Sequence, residues 1–140
     1  TLLRCNTFEE DLEHAVIKAV EMGNIRALWI LLDRDAKVES KNSRGQSALF
    51  VALKRTELGP HAKIARHLIE ARKADLETRC KKGYTPLLYC AKQGYWRSVK
   101  LLLRHGADPN AKLEDGNTPL HVAINNRNSF REAIVLELLE

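Results

Sequence analysis

The segment Gly83-Tyr-Thr-Pro-Leu-Leu-Tyr-Cys-Ala91 returns 33 residues later as Gly116-Asn-Thr-Pro-Leu-His-Val-Ala-Ile124. A looser copy, Gly45-Gln-Ser-Ala-Leu-Phe-Val-Ala-Leu53, stands 38 residues upstream of Gly83. A second signature, Gly106-Ala-Asp-Pro-Asn110, is echoed by Lys73-Ala-Asp-Leu-Glu77 and more weakly by Asp35-Ala-Lys-Val-Glu39. The two signatures keep phase with one another. A chain that repeats at this spacing is built from stacked supersecondary units, each too small to bury its own apolar faces.

Each piece of the repeat has a physical reason. Thr85 and Thr118 can cap a helix N-terminus, and Pro86 and Pro119 follow at the first helical position, where a missing N–H costs nothing. Ser47 caps in the same way, with Ala48 in place of proline. Gly94 ends the first short helix, where a left-handed residue is wanted. A second apolar helix carries Val99, Leu101, Leu102 and Leu103 and closes at Gly106. Asp108 to Gly116 reads as a polar turn. Each unit is therefore helix, turn, helix and extended loop.

That arrangement, with Thr-Pro-Leu-His at a period of 33, resembles the ankyrin repeat, and the Gly106–Asn110 turn is equally typical of that family. The resemblance implies an all-α ankyrin-repeat solenoid in a single domain, 1–140, with units at about 8–41, 42–79, 80–112 and 113–140. The second unit carries about five extra residues around Thr56-Glu-Leu-Gly-Pro60, with Pro60 expected to start its second helix. The fourth unit is about three residues longer near Asn128 to Arg131. In the first unit His14-Ala-Val-Ile replaces the Thr-Pro pattern, as in a cap or a degenerate repeat. The last leucines are expected to be poorly covered, as in a piece of a longer array.

Composition bounds the function. With 44% hydrophobic and 29% charged residues the chain can form a core, and no apolar run reaches the roughly 18 residues of a membrane helix. No secretory leader is visible. Cys5, Cys80 and Cys90 form neither a CxxC pair nor a Cys/His cluster at ligand spacing, so no metal is expected, and reduced thiols suggest the cytoplasm or nucleus. Neither a P-loop nor a Gly-x-Gly-x-x-Gly run occurs, no cofactor is expected, and no Ser/His/Asp or Cys/His set stands out, so no catalytic residue is assigned. Asp33 with Asp35, and Glu114 with Asp115, read as solvated turn residues. The family resemblance gives His121 a structural role, bridging neighbouring units. Trp29 is expected in the core and Trp96 partly exposed.

The net charge of +5 is unevenly spread. Residues 41–112 carry 16 basic and 5 acidic side chains, a net +11, whereas residues 1–40 and 113–140 each carry −3. The resemblance implies that partners meet loop tips and outer positions of the first helices. In the second unit these are Lys41, Ser43, Arg44, Gln46, Lys54 and Arg55; in the third, Arg79, Lys81, Lys82, Tyr84, Lys92 and Gln93. Eight of these twelve are basic, which points to an acidic partner segment with Tyr84 as its aromatic anchor. The fourth unit adds Lys112, Glu114, Asp115, Asn117, Asn125 and Asn126, a mixed surface, and the first offers Glu10, Asp11, Glu13, Glu21 and Met22, an acidic one. The leading expectation is a non-catalytic protein-interaction module, monomeric in isolation. The competing readings are nucleic-acid binding through the basic block, and recruitment of substrate to an enzyme encoded outside these residues. Acidic flanks and the lack of a stacking aromatic series weigh against nucleic acid.

Overall fold

The computed structural model describes residues 2–54, 59–127 and 129–140, with side chains from Asp11 onward. Eight helices alternate with turns in these residues: α1 (Leu2–Met22), α2 (Ile25–Asp33), α3 (Ala48–Leu53), α4 (Pro60–Glu70), α5 (Pro86–Gln93), α6 (Trp96–Arg104), α7 (Pro119–Asn125) and α8 (Arg131–Leu139). They pack as pairs, α1 on α2, α3 on α4, α5 on α6 and α7 on α8. The first helices of the pairs then stack in a row, α1 on α3, α3 on α5 and α5 on α7. This is the expected helix-turn-helix solenoid.

The helix starts follow the capping chemistry of the repeat. Hydroxyls of Ser47, Thr85 and Thr118 accept from the backbone N–H groups of Phe50, Leu88 and His121. Proline opens α4, α5 and α7. Gly94 closes α5 in the left-handed conformation at φ 81°. The α2 helix is capped by Asn24, whose Oδ1 accepts from Ala27 N at 3.1 Å.

One core runs the length of the stack. Val16 and Val20 from α1, Leu28 from α2, Leu49 and Leu53 from α3, Ile64 and Leu68 from α4, Leu87 from α5, Val99 and Leu102 from α6, and Ile134 from α8 are all sealed from solvent. Polar links cross between units as well. Ser98 Oγ donates to Leu53 O at 2.9 Å. Asn126 Nδ2 donates to Ala91 O and Lys92 O at 3.1 and 2.7 Å, closing the C-terminus of α5 from the next unit. A carboxylate rung repeats: Glu39 accepts from Asp75 N at 2.9 Å, and Glu77 from Asp108 N at 2.8 Å.

Several sequence expectations need adjusting. The α1 helix begins at Leu2 and runs through His14, because no proline or glycine interrupts the chain before Gly23. Six residues separate α3 from α4 where two separate α5 from α6, and α4 does start at Pro60; the loop expected at Thr56–Leu58 lies outside the described residues. Trp29 is 41% exposed rather than core. The buried stripe of α2 is Leu28 and Leu32, which turns the next position outward, and the indole lies against the His67 ring at 5.4 Å. Among the described residues His121 bonds within its own unit rather than between units: its Nδ1 meets Thr118 N at 3.2 Å and Thr118 Oγ1 at 2.8 Å, closing a capping box. Of the last two leucines, Leu139 is 66% exposed, as poorly covered as expected, whereas Leu138 is half-buried against the core.

Candidate functional site

Three hairpin tips precede α3, α5 and α7, and the backbone builds all three alike. Asn42 N donates to Gln46 O at 2.9 Å, Cys80 N to Tyr84 O at 3.0 Å, and Leu113 N to Asn117 O at 2.9 Å. A glycine N–H closes each turn: Gly45 onto Asn42 O, Gly83 onto Cys80 O and Gly116 onto Leu113 O. The second unit adds side-chain support, with Asn42 Oδ1 accepting from Arg44 N and Gln46 N at 2.9 and 3.0 Å.

The tips are also joined in series. Lys81 N donates to Arg44 O at 3.1 Å. The Arg79 guanidinium bridges Gly83 O at 2.8 Å and Lys112 O at 2.9 Å. These bonds hold the tips of units two, three and four side by side. They also hold open a cleft of about 530 Å³ between the second and third tips, lined by Ser43, Arg44, Gln46, Cys80, Lys81, Lys82, Tyr84, Tyr89, Lys92 and Gln93.

The cleft is donor-rich and its lining contains no carboxylate. Arg44, Lys81, Lys82 and Lys92 are exposed, and none of the four takes part in an ion pair among the described residues. Lys92 Nζ donates to Tyr84 Oη at 3.1 Å and stands 4.9 Å from the centre of its ring. Behind it the aromatic floor continues inward, Tyr84 edge-on to Tyr89 at 6.5 Å and Tyr89 edge-on to Phe50 at 5.7 Å. Partial burial raises the Tyr89 phenol above its ordinary value, and the Arg44 guanidinium pulls the other way. The cleft offers O–H and N–H donors to an acceptor-rich, anionic ligand.

The structure brings eight of the sequence-derived residues to this cleft: Ser43, Arg44, Gln46, Lys81, Lys82, Tyr84, Lys92 and Gln93. Gln46 is only 5% exposed. Its Oε1 accepts from Asn42 Nδ2 at 3.2 Å and from Lys54 Nζ at 2.7 Å, so it positions Lys54. Lys54 Nζ in turn lies 5.7 Å over the Tyr89 ring, at the inner edge of the site. Arg79 spends its guanidinium on the two carbonyls between tips. Lys41 lines a different groove with His14, Lys18 and Glu21. Lys112 is exposed at the stem of the fourth hairpin, and Asn117 folds onto Asp115, donating from N and Nδ2 at 3.0 and 2.9 Å. Arg55 lies outside the described residues. Sequence reasoning missed Tyr89 and Cys80. The signal for Tyr89 was its register: units two and four carry aliphatic Val51 and Val122 at that position.

Among the described residues no group of three or more His, Cys, Asp or Glu side chains is placed to hold a metal ion, and no helix is long and apolar enough to cross a membrane. Cys80 and Cys90 are free thiols. Burial pushes the Cys90 thiol far above its usual range, and a hydrogen bond with the Ser98 side chain offsets this only in part. In a Cys5→Ser/Cys80→Ser variant at neutral pH, Cys90 is therefore expected to react with iodoacetamide no faster than the protein opens. A rate in native buffer equal to that of a small free thiol would refute this.

Residues 59–140 match the family model described as ankyrin repeats (3 copies). Among curated proteins, the chain is 40% identical over 107 residues to delta-latroinsectotoxin-Lt1a of Latrodectus tredecimguttatus, covering 76% of this chain and 9% of the toxin. It is 30% identical over 104 residues to ankyrin repeat and SOCS box protein 3 of Bos taurus, covering 73% and 19%. To ankyrin repeat and SOCS box protein 16 of Mus musculus it is 36% identical over 100 residues, covering 68% and 22%. The chain thus spans less than a quarter of the length of each of these relatives.

Proposed function

The chain belongs to the ankyrin-repeat family, whose members are generally protein–protein interaction modules, and on that premise we propose that it binds an acidic segment of a protein partner in the cleft between the second and third hairpin tips. The observation that carries this reading is the cleft itself: four cations and two phenols on a lining without a carboxylate. An interface residue that is charged and unpaired in the free protein gains a partner on binding and steers encounter at a distance. Tyr84, held against Lys92, supplies a rigid amphipathic surface of the kind that anchors interfaces. On this reading the domain acts as a monomer and without catalysis, and the unpaired thiols suit a reducing compartment.

A variant with Arg44, Lys81, Lys82 and Lys92 all changed to Glu tests the reading. Each exposed pair contributes little alone, but four lost attractions replaced by repulsions are expected to weaken an acidic peptide on the order of 100-fold at low salt. Circular dichroism should be unchanged, because none of the four side chains is buried. Equal affinity of the native and reversed proteins, with the same salt dependence, would sink the proposal.

Nucleic acid is the second reading, favoured by the net +11 of residues 41–112. Titration with mixed-sequence single-stranded DNA and RNA at physiological salt separates the two. Micromolar binding that falls steeply with salt would favour nucleic acid.

A further inference from the structure

The tips differ in charge between units, while one stem position keeps its charge. Four positions before the turn glycine, every hairpin carries a cation: Lys41, Arg79 and Lys112. The two positions immediately before the glycine read Ser43-Arg44 in the second unit, Lys81-Lys82 in the third and Glu114-Asp115 in the fourth. All six side chains are exposed. The row of tips therefore changes sign along the stack, cationic at two adjacent tips and anionic at the next.

The row has a fixed spacing. Arg44 O takes the Lys81 N–H at 3.1 Å, and Arg79 ties Gly83 O to Lys112 O, so three consecutive tips are linked by hydrogen bonds. At the fourth unit the Asp115 carboxylate is held by both N–H donors of Asn117, which fixes the place of the negative charge without neutralising it. Neighbouring helices stack about 10 Å apart. An extended chain advances ~3.3 Å per residue. One tip therefore corresponds to about three residues of an extended ligand crossing the row.

We infer that the partner segment crosses the three tips as an extended chain of alternating sign, acidic opposite the second and third tips and basic opposite the fourth, at a register of about three residues per tip. This rests on the reading of the cleft as a peptide site and specifies the ligand it takes. A uniformly acidic segment would meet Glu114 and Asp115 with like charge, and like charge set against like charge is how an interface rejects a wrong partner. The same acidic tip disfavours a nucleic-acid strand, whose charge cannot change sign along its length.

Three fluorescein-labelled peptides of equal length test the register: one with Glu, Glu and Lys at positions i, i+3 and i+6, one with Glu, Lys and Glu, and one with Glu at all three. The central-lysine peptide has the composition of the first and its pattern is unchanged by reversing the chain direction, so it isolates order from net charge. At low salt the first peptide is expected to bind about tenfold more tightly than either of the others, the sum of a few exposed ion pairs. In the Glu114→Lys/Asp115→Lys variant the order should invert, with the all-Glu peptide tightest. Because Asp115 also holds the turn through Asn117, Glu114→Lys alone serves as the second variant and should narrow the gap between the first and the all-Glu peptide. If the all-Glu peptide binds the native protein as tightly as the first, or if the variants leave the order unchanged, the register is wrong while the acidic-segment reading stands. If none of the peptides binds, both fall. An oligonucleotide binding more tightly than every peptide at the same salt also overturns both.

Discussion

Leu102→Ala is expected to lower the unfolding free energy by about 2–5 kcal/mol, the range for deleting a fully buried leucine and leaving a cavity. Leu102 has no exposed surface and belongs to the continuous core. Domains of this size are stable by roughly 5–15 kcal/mol, so one such lesion removes a large share. Its position adds a second effect. In a stack, each unit is held mainly by its neighbours, and α6 packs against both α5 and α8. Weakening α6 therefore loosens the fourth unit from the rest, and urea unfolding should lose cooperativity as well as midpoint. Leu139→Ala, at a site 66% exposed, is the control and should shift the midpoint little. Equal midpoints for the two variants would show that the core is not continuous through α6.

Gly45→Ala should damage both fold and site. Gly45 sits at φ +73°, where a Cβ costs roughly 1–2 kcal/mol. The added carbon would also stand 2.9 Å from the backbone nitrogen of Lys81, the atom that donates to Arg44 O across the tips. Backbone cannot swing aside as a side chain can, so the tip-to-tip bond must give and the cleft must widen. Gly116 has the same handedness, φ +85°, but open space around it. Gly116→Ala is thus expected to show the conformational cost alone, and the difference between the two variants measures the clash. Denaturant midpoints give the stability difference, and peptide titration gives the effect on the cleft. If Gly45→Ala bound acidic peptide as well as Gly116→Ala, the proposed site would not depend on the contact between tips.

The repeat, the caps and the turn glycines were legible because each acts over a few residues. Thr85, Pro86 and Gly94 carry their instructions locally. The basic character of the second and third tips was legible for the same reason, since exposed turn residues keep the charge they show in the sequence. What resisted reading was decided by tertiary partners. Gln46 and Arg79 look like outward polar residues until Lys54 and the Lys112 carbonyl claim their polar atoms. Tyr89 looks like core until the cleft between tips exposes one edge of it. Trp29 looks like core because tryptophan usually is, but the buried stripe of α2, Leu28 and Leu32, faces away from it. His121 carries the family letter, yet its Nδ1 closes the cap on Thr118 within its own unit.

The two tryptophans have a practical use. Trp29 leans on His67 from the next unit at 5.4 Å, and Trp96 lies 6.3 Å from Phe130 across the third and fourth units. Each indole reports on a different seam of the stack. Trp29→Phe and Trp96→Phe variants therefore leave a single tryptophan, excited selectively over the tyrosines, at one seam or the other. Opening of the two ends can then be timed separately by emission, without any label being added.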